Sequence, residues 1–359
     1  MQPPETIGVI INPKAGKGFP ENAEIARLAA SRFPGAAIIT GPGEMGAAAF
    51  TGSRLEICLC GPGAGPQQTM ALARSLASRQ VDLLLVVGGD STMADVAHAL
   101  VEISGAPPIM GIGTGSTNVG PLITCRGPEV GNLDINHLET ALLPAALVKY
   151  QSTLLGIGFN DCILGFTVLG TLDKQVLDLD AQAKMKGVNL PGQPGPVGTP
   201  LTLIERISPS GTLEVARGEW VGSVVIGFSS PTFFGKAVTG GICLASYLNI
   251  PAGCLVSDIP MARIEITRQE ALALGALRSQ YVSFDETMCI QVSGMRTGTA
   301  VCADGNPLKI LSPGDQVEFW VHPAAMRAVK SKQNRNYSAV AENSRGCPKS
   351  SGIGNPLQN

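Results

Sequence analysis

The segment Gly88-Gly89-Asp90-Ser91-Thr92 combines residue types that could do chemistry at a phosphate. Glycines let the backbone approach an anion closely, and the first N–H groups of a helix starting here would point at it. Asp90 adds a carboxylate able to accept a proton or hold a cation, and two hydroxyls follow. The set fits phosphoryl transfer, in which an acceptor hydroxyl is positioned and relieved of its proton. A plainer reading is also open. Asp is a favoured N-cap, and Asp90 would then only close a strand-to-helix turn.

The flanking sequence predicts how this turn is held. The apolar run Asp82–Gly89 reads as a buried strand, and a helical pattern follows through Met93, Val96, Ala97 and Leu100. Ile7–Ile11 is a similar run, ending in Asn12-Pro13-Lys14-Ala15-Gly16-Lys17-Gly18 before a helical face of Ile25, Leu28, Ala29 and Phe33. Ala36–Ile39 and Leu55–Leu59 read as further strands, the latter entering Gly61-Pro62-Gly63-Ala64-Gly65 and a helix through Met70, Ala73, Leu76 and Ala77. Pro108–Ile112 closes on Gly113-Thr114-Gly115-Ser116-Thr117-Asn118. Alternation of this kind predicts an α/β domain with a mostly parallel, Rossmann-like sheet. Ligands gather at the carboxyl ends of such strands, where all four glycine-rich turns fall.

Beyond about residue 150 the pattern shifts to short apolar runs parted by Gly, Pro or Ser: Ser152–Phe159, Ile163–Leu169, Leu201–Ile207, Val221–Phe228, Ala262–Thr267, Cys289–Ser293, Thr299–Ala303 and Gln316–Val321. These predict a β-rich, sandwich-like second domain. The expected division is an α/β nucleotide-phosphate-binding domain at 1–148, a β-rich domain at 149–329 and a disordered tail at 330–359, with residues 187–200 a Gly/Pro-rich loop.

Composition excludes several classes. A net charge of −2 leaves no electrostatic footprint for nucleic acid, and 4% aromatic residues cannot build a base-stacking surface. The nine cysteines form no Cys-x-x-Cys pair and the three histidines no His-Glu-x-x-His, so free thiols are expected and no metal-ligating set is assigned. No segment reaches the roughly 18 uninterrupted apolar residues of a membrane helix, and the start of the chain does not read as a signal peptide. A cytoplasmic protein without a membrane partner is expected. Lys14 and Lys17 lie where they could neutralise phosphate or simply be solvated, and Gly16-Lys17-Gly18 lacks the rest of a Walker A loop.

Three motifs in order carry a resemblance. Gly88–Thr92 resembles the Gly-Gly-Asp-Gly-Thr signature of the superfamily of NAD kinases, diacylglycerol kinases and sphingosine kinases, and Ile11-Asn12-Pro13-x-x-Gly16 is similar to its first motif. The run from Pro108 to Pro121 is similar to that of ATP-NAD kinase-like proteins, in the branch that includes acetoin-catabolism protein X. Further on, Gly158-Phe159-Asn160-Asp161 resembles the Asn-Glu/Asp motif of NAD kinases, and Asp304-Gly305 with Gly314-Asp315 their final hairpin. Ser230-Pro231-Thr232 before Gly240-Gly241 resembles their Thr-Pro-Thr loop, but its Gly-Ser-Thr is missing.

The resemblance implies a two-domain kinase fold using ATP and Mg²⁺, with NAD as a possible substrate and a nucleotide as the small-molecule partner. Asp90 becomes the general base. Asn12, Gly88, Gly89, Ser91, Thr92, Gly113, Thr114, Gly115, Ser116, Asn118, Asn160 and Asp161 would line the nucleotide site, and a homo-oligomer is implied. One departure is Ser91, where the signature has glycine. A positive φ there would cost a serine on the order of 1 kcal/mol or more. An alternative is therefore a non-catalytic nucleotide- or NAD-binding accessory protein of a catabolic pathway such as acetoin catabolism. A lipid or sphingoid-base kinase is disfavoured, because no basic amphipathic helix is evident.

Overall fold

Apolar runs without polar interruption build the central strands of the first sheet. A computed structural model describes residues 2–50, 55–59, 65–115, 118, 120–172, 175–228, 251–260 and 278–331. The first elements are β1 (Thr6–Ile11), α1 (Phe19–Ala30), β2 (Ala37–Thr40), β3 (Leu55–Ile57), α2 (Pro66–Ser78), β4 (Leu83–Gly88), α3 (Asp90–Leu100), β5 (Ile109–Gly113) and β6 (Ile123–Arg126). They pair in parallel in the order β3-β2-β1-β4-β5-β6. Every residue of β4 and β5 is buried, as expected of strands covered on both faces. α1 packs against Ile7, Val9 and Ile11 on one face, while α2 and α3 pack against Ile10, Leu84 and Val86 on the other.

The second part is antiparallel. Its elements are β7 (Leu138–Tyr150), β8 (Thr153–Gly158), β9 (Asp161–Gly165), β10 (Thr167–Leu172), β11 (Gln175–Asp180), α4 (Ala181–Met185), β12 (Leu203–Ser208), β13 (Gly211–Arg217), β14 (Ser223–Phe228), β15 (Ala252–Ser257), β16 (Ser279–Phe284), β17 (Cys289–Ser293), β18 (Ala300–Ala303), β19 (Asn306–Ile310) and β20 (Gln316–Ser331). One sheet runs β16-β15-β14-β9-β18-β19. It packs on a second antiparallel surface formed by β12, β17, β7 and the first half of β20, through a core holding Val148, Leu164, Ile204, Ile226, Cys254, Val292 and Phe319. The run Ile163–Leu169 divides at Phe166 into β9, within the sheet, and β10, in a separate hairpin with β11. Residues 187–200 carry no helix or strand, although Val197 is fully buried. The predicted strand Ala262–Thr267 lies outside the described residues.

One ribbon joins the two parts. β7 and β20 pair antiparallel along nearly their whole length, with a register break between His322 and Met326. Pro144 and Pro323 sit at that break, where the ladder needs no N–H from either. Before it, β20 pairs β17; beyond it, Ala328 pairs Ile109 of β5 in parallel. The strand predicted at Gln316–Val321 therefore continues to Ser331, and the tail boundary at 330 moves. Lys330 and Ser331 are strand residues; 332–359 lie outside the described residues.

Candidate functional site

The chain leaves β1 toward β2 and returns at β4, so β1 and β4 are neighbours whose connections diverge. That crevice is where α/β sheets bind ligands. Asn12 lies at its first edge. Its N–H donates to the Val87 carbonyl (2.9 Å), its Nδ2 to Thr92 Oγ1 (2.8 Å), and its Oδ1 accepts the Lys14 N–H (3.0 Å). Asn12 thus ties the β1 turn to the first turn of α3. Buried Asn22 holds the same turn from below, its Nδ2 donating to the Asn12 and Ala15 carbonyls, both at 2.9 Å. Lys17 is paired with Glu21 on the surface, and Lys14 is exposed.

Gly88 ends β4 and Gly89 is the extended N-cap of α3, so Asp90 is the first helical residue and not the cap. The N-cap reading of Asp90 is therefore corrected. Its Oδ1 instead accepts the Gly120 N–H at 2.9 Å. Ser91 lies in the first turn of the helix, exposed, and is absent from the residues with positive φ. The strain foreseen for a serine here does not arise, since a helical backbone carries any L-residue.

The β5 turn closes the other side. The Thr114 N–H donates to the Gly88 carbonyl (2.9 Å), and Gly16, at φ +57°, approaches so closely that a Cβ on it would lie 2.1 Å from the Thr114 oxygen. Gly113 ends β5, and the Asn118 side chain bonds both the N–H (2.8 Å) and the carbonyl (2.6 Å) of Gly115. Asn118 and Thr92 therefore hold the turns in shape. Ser116 lies outside the described residues, as do 61–64, Ser230–Thr232 and Gly240-Gly241.

Asn160 reaches the crevice from the second part, because α3 packs on the β8 end through a core shared by Val96, Ile157 and Phe159, and Asp161 follows as the buried first residue of β9. A Cβ on Gly120 would meet Asp90 Oδ1 at 2.8 Å and Asn160 Nδ2 at 3.6 Å, so both flank this glycine. The 159–161 turn is shaped by Asp304. The Phe159, Asn160 and Asp161 N–H groups all donate to its carboxylate, at 2.7, 2.7 and 3.1 Å. Its own N–H donates to the Asp161 carbonyl (3.0 Å), and its φ of 46° turns the β18–β19 hairpin. Burial pushes the Asp304 carboxyl up to about 6, the three N–H donors pull it down, and the nearby charge of Asp90 adds to the rise. Gly120, Asn22 and Asp304 were not singled out from sequence as site residues. For Asp304 the signal was the Asp-Gly turn pair, whose carboxylate role only the fold makes visible.

Among the described residues no group of three His, Cys, Asp or Glu could hold a metal, and the six described cysteines are free thiols. A cavity of about 720 Å³ lined by Glu5, Asp82, Pro108 and Arg327 lies at the amino ends of the strands, opposite the glycine-rich turns and away from these carboxylates.

A parallel sheet with an aspartate-bearing glycine turn at its switch point, closed by an antiparallel sandwich, is the NAD kinase-like fold. Residues 7–120 match the family described as ATP-NAD kinase N-terminal domain. An uncharacterized protein of Archaeoglobus fulgidus is 24% identical over 335 residues, covering 90% of this chain and 97% of its own. A putative diacylglycerol kinase from Bacillus anthracis str. Sterne superposes with TM-score 0.53 at 15% identity, over 93% of this chain and 100% of that one. Yeast NADH kinase complexed with NADH does so with TM-score 0.52 at 13% identity, over 99% and 91%. At these identities the two structures speak for the fold alone.

Proposed function

We propose that this protein is a nucleotide-dependent kinase transferring phosphate from ATP to a hydroxyl of NAD or a related small molecule, with Asp90 as general base. The observation that carries the reading is the placement of Asp90. Its carboxylate stands at the carboxyl end of β4 and the start of α3, bonded to the Gly120 N–H and flanked by Asn160. The Gly88–Gly89 backbone and the α3 N-terminus offer N–H groups to the phosphates. Asn160 and Asp161 orient the acceptor, so that its hydroxyl proton passes to Asp90 as the oxygen attacks the terminal phosphorus. Asp304 does not compete as base, because three N–H groups occupy its oxygens.

Mg²⁺ would be held here chiefly by the phosphate oxygens and water, as is usual at nucleotide sites, and would neutralise charge on the phosphates while Asp90 serves as base. Free thiols at the described cysteines support a reducing compartment such as the cytoplasm. No helix among the described residues is long and apolar enough to cross a membrane. Self-association through the β-rich part belongs to the same proposal and is read by sedimentation.

The test is Asp90→Asn. ATP affinity, by calorimetry, should change less than threefold, while ATP consumption over a panel of NAD, NADH and other hydroxyl acceptors should fall about 10²–10⁴-fold, the usual worth of a general base. Full turnover in the variant would end the assignment. The accessory-protein reading, including a place in acetoin catabolism, loses the support it drew from Ser91. It now rests on the missing Gly-Ser-Thr alone, and ATP binding without consumption by the wild type would favour it. Sedimentation with liposomes checks a lipid acceptor.

A further inference from the structure

We propose that Lys330 is a positioning residue for Asp90, acting through the Pro121 carbonyl to hold the Gly120 N–H on the Asp90 carboxylate. The inference rests on the kinase reading for its importance, but its geometry is independent of any substrate. Lys330 is the penultimate residue of β20, and its Nζ donates to the Pro121 carbonyl. The next contact upstream is parallel in kind, with Thr124 Oγ1 donating to the Val329 carbonyl at 2.7 Å. Between these anchors, the Ile123 N–H donates to the Gly120 carbonyl at 3.0 Å, closing a turn whose first amide is the one bonded to Asp90. Residues 120–124 are thus tied to the last strand at two points and to the proposed base at a third.

Simple packing does not account for a lysine at this position. The neighbours Ala328 and Val329 are fully buried, whereas Lys330 is half-buried opposite Glu139 of β7, so its ammonium carries a desolvation cost that an apolar side chain would not. Burial lowers the Lys330 ammonium to about 8. A group held against that cost, with its head on one loop carbonyl, fixes the loop. Lys184 offers an internal comparison. It is also half-buried and its Nζ donates to the Gly305 carbonyl at 3.0 Å, on the other wall of the crevice beside Asp304.

Backbone amide exchange of the full-length protein tests the proposal without a substrate. In Lys330→Met the Gly120 amide should exchange at least tenfold faster, while the Leu84–Val87 amides of β4 keep their wild-type rates. Lys330→Arg, which still reaches and donates, should restore protection. Lys184→Met should leave Gly120 unchanged. Should Lys330→Met loosen β4 as well, Lys330→Gln takes its place, since its shorter polar head falls short of Pro121 and should expose Gly120 alone. Wild-type protection of Gly120 in the folded Met or Gln variant overturns the proposal, as does failure of Arg to restore it. Where wild-type turnover is measurable, Lys330→Met should lower kcat about tenfold with KM for ATP changed less than twofold. An inactive wild type would defeat the kinase reading and leave the amide result to stand on its own.

Discussion

At the scale of single residues, the site is a set of carboxylates with different duties. Asp90 accepts the Gly120 N–H beside the crevice, whereas Asp304 accepts three N–H groups and shapes the turn opposite. Asp304 also carries a pH signature. Its carboxyl ionises at about 6 in the folded protein against an ordinary value of 3.8, so the native state binds the proton more tightly across that interval. Its contribution to stability is then most favourable at about pH 4 and below, and declines as pH rises through 6. Asp304→Asn should remove this slope, seen as a wild-type-minus-variant difference in unfolding free energy that changes by about 2–3 kcal/mol between pH 4 and 7. Denaturant titrations at a series of pH values measure it, and the difference cancels other raised groups such as Asp95, which burial alone holds at about 7. A flat difference would mean that the Asp304 charge is not desolvated as its surroundings imply.

At the scale of elements, function depends on three turns meeting above the sheet. The β1 and β5 turns touch at Gly16, whose φ of +57° and 2.1 Å approach to the Thr114 oxygen leave no space for a methyl. Gly18 has φ +95°, but its nearest neighbour, the Pro13 carbonyl oxygen, would lie 3.8 Å from an added Cβ. Its φ of 95° and ψ of −173° lie in a region essentially reserved for glycine, so Gly18→Ala should cost its backbone strain alone, about 1–3 kcal/mol. Gly16→Ala adds a backbone collision to its own left-handed strain, so it should cost more than Gly18→Ala and weaken ATP binding tenfold or more. Thermal denaturation and ATP titration of the pair separate strain from collision. These turns were legible in the sequence because each follows an unbroken apolar run and is punctuated by glycine, the two signals a local reading registers best. The contacts made by Asn12 and Asp304 were not legible, since each joins segments far apart in the chain. β7 and the last half of β20 were missed for another reason. A proline is normally confined to strand edges and irregularities, and Pro144 and Pro323 fit two long strands only because they share a register break that no local pattern shows.

At the scale of the whole molecule, the β7–β20 ribbon makes the division at 148/149 a boundary in sequence rather than in space. A fragment ending at 148 keeps most of β7 but loses the strand that pairs it, together with Ala325, Met326, Ala328 and Val329, all buried in the cores on the two faces of the parallel sheet. It also exposes Ile109 and its neighbours on β5, which β20 covers through Ala328. Full burial of a side chain such as Met or Val is worth about 1.5–3 kcal/mol. Met326 and Val329 alone therefore represent several kcal/mol, a large share of the roughly 5–15 kcal/mol that holds a typical domain together. The fragment 1–148 should lack a cooperative unfolding transition and disperse poorly in amide NMR spectra, whereas the chain carried through residue 331 should unfold as one unit in denaturant. Independent folding of 1–148 with wild-type-like stability would show that the ribbon merely decorates the parallel sheet. The expected result instead makes the end of β20 part of the floor beneath Asp90, and the sandwich and the parallel sheet one cooperative unit.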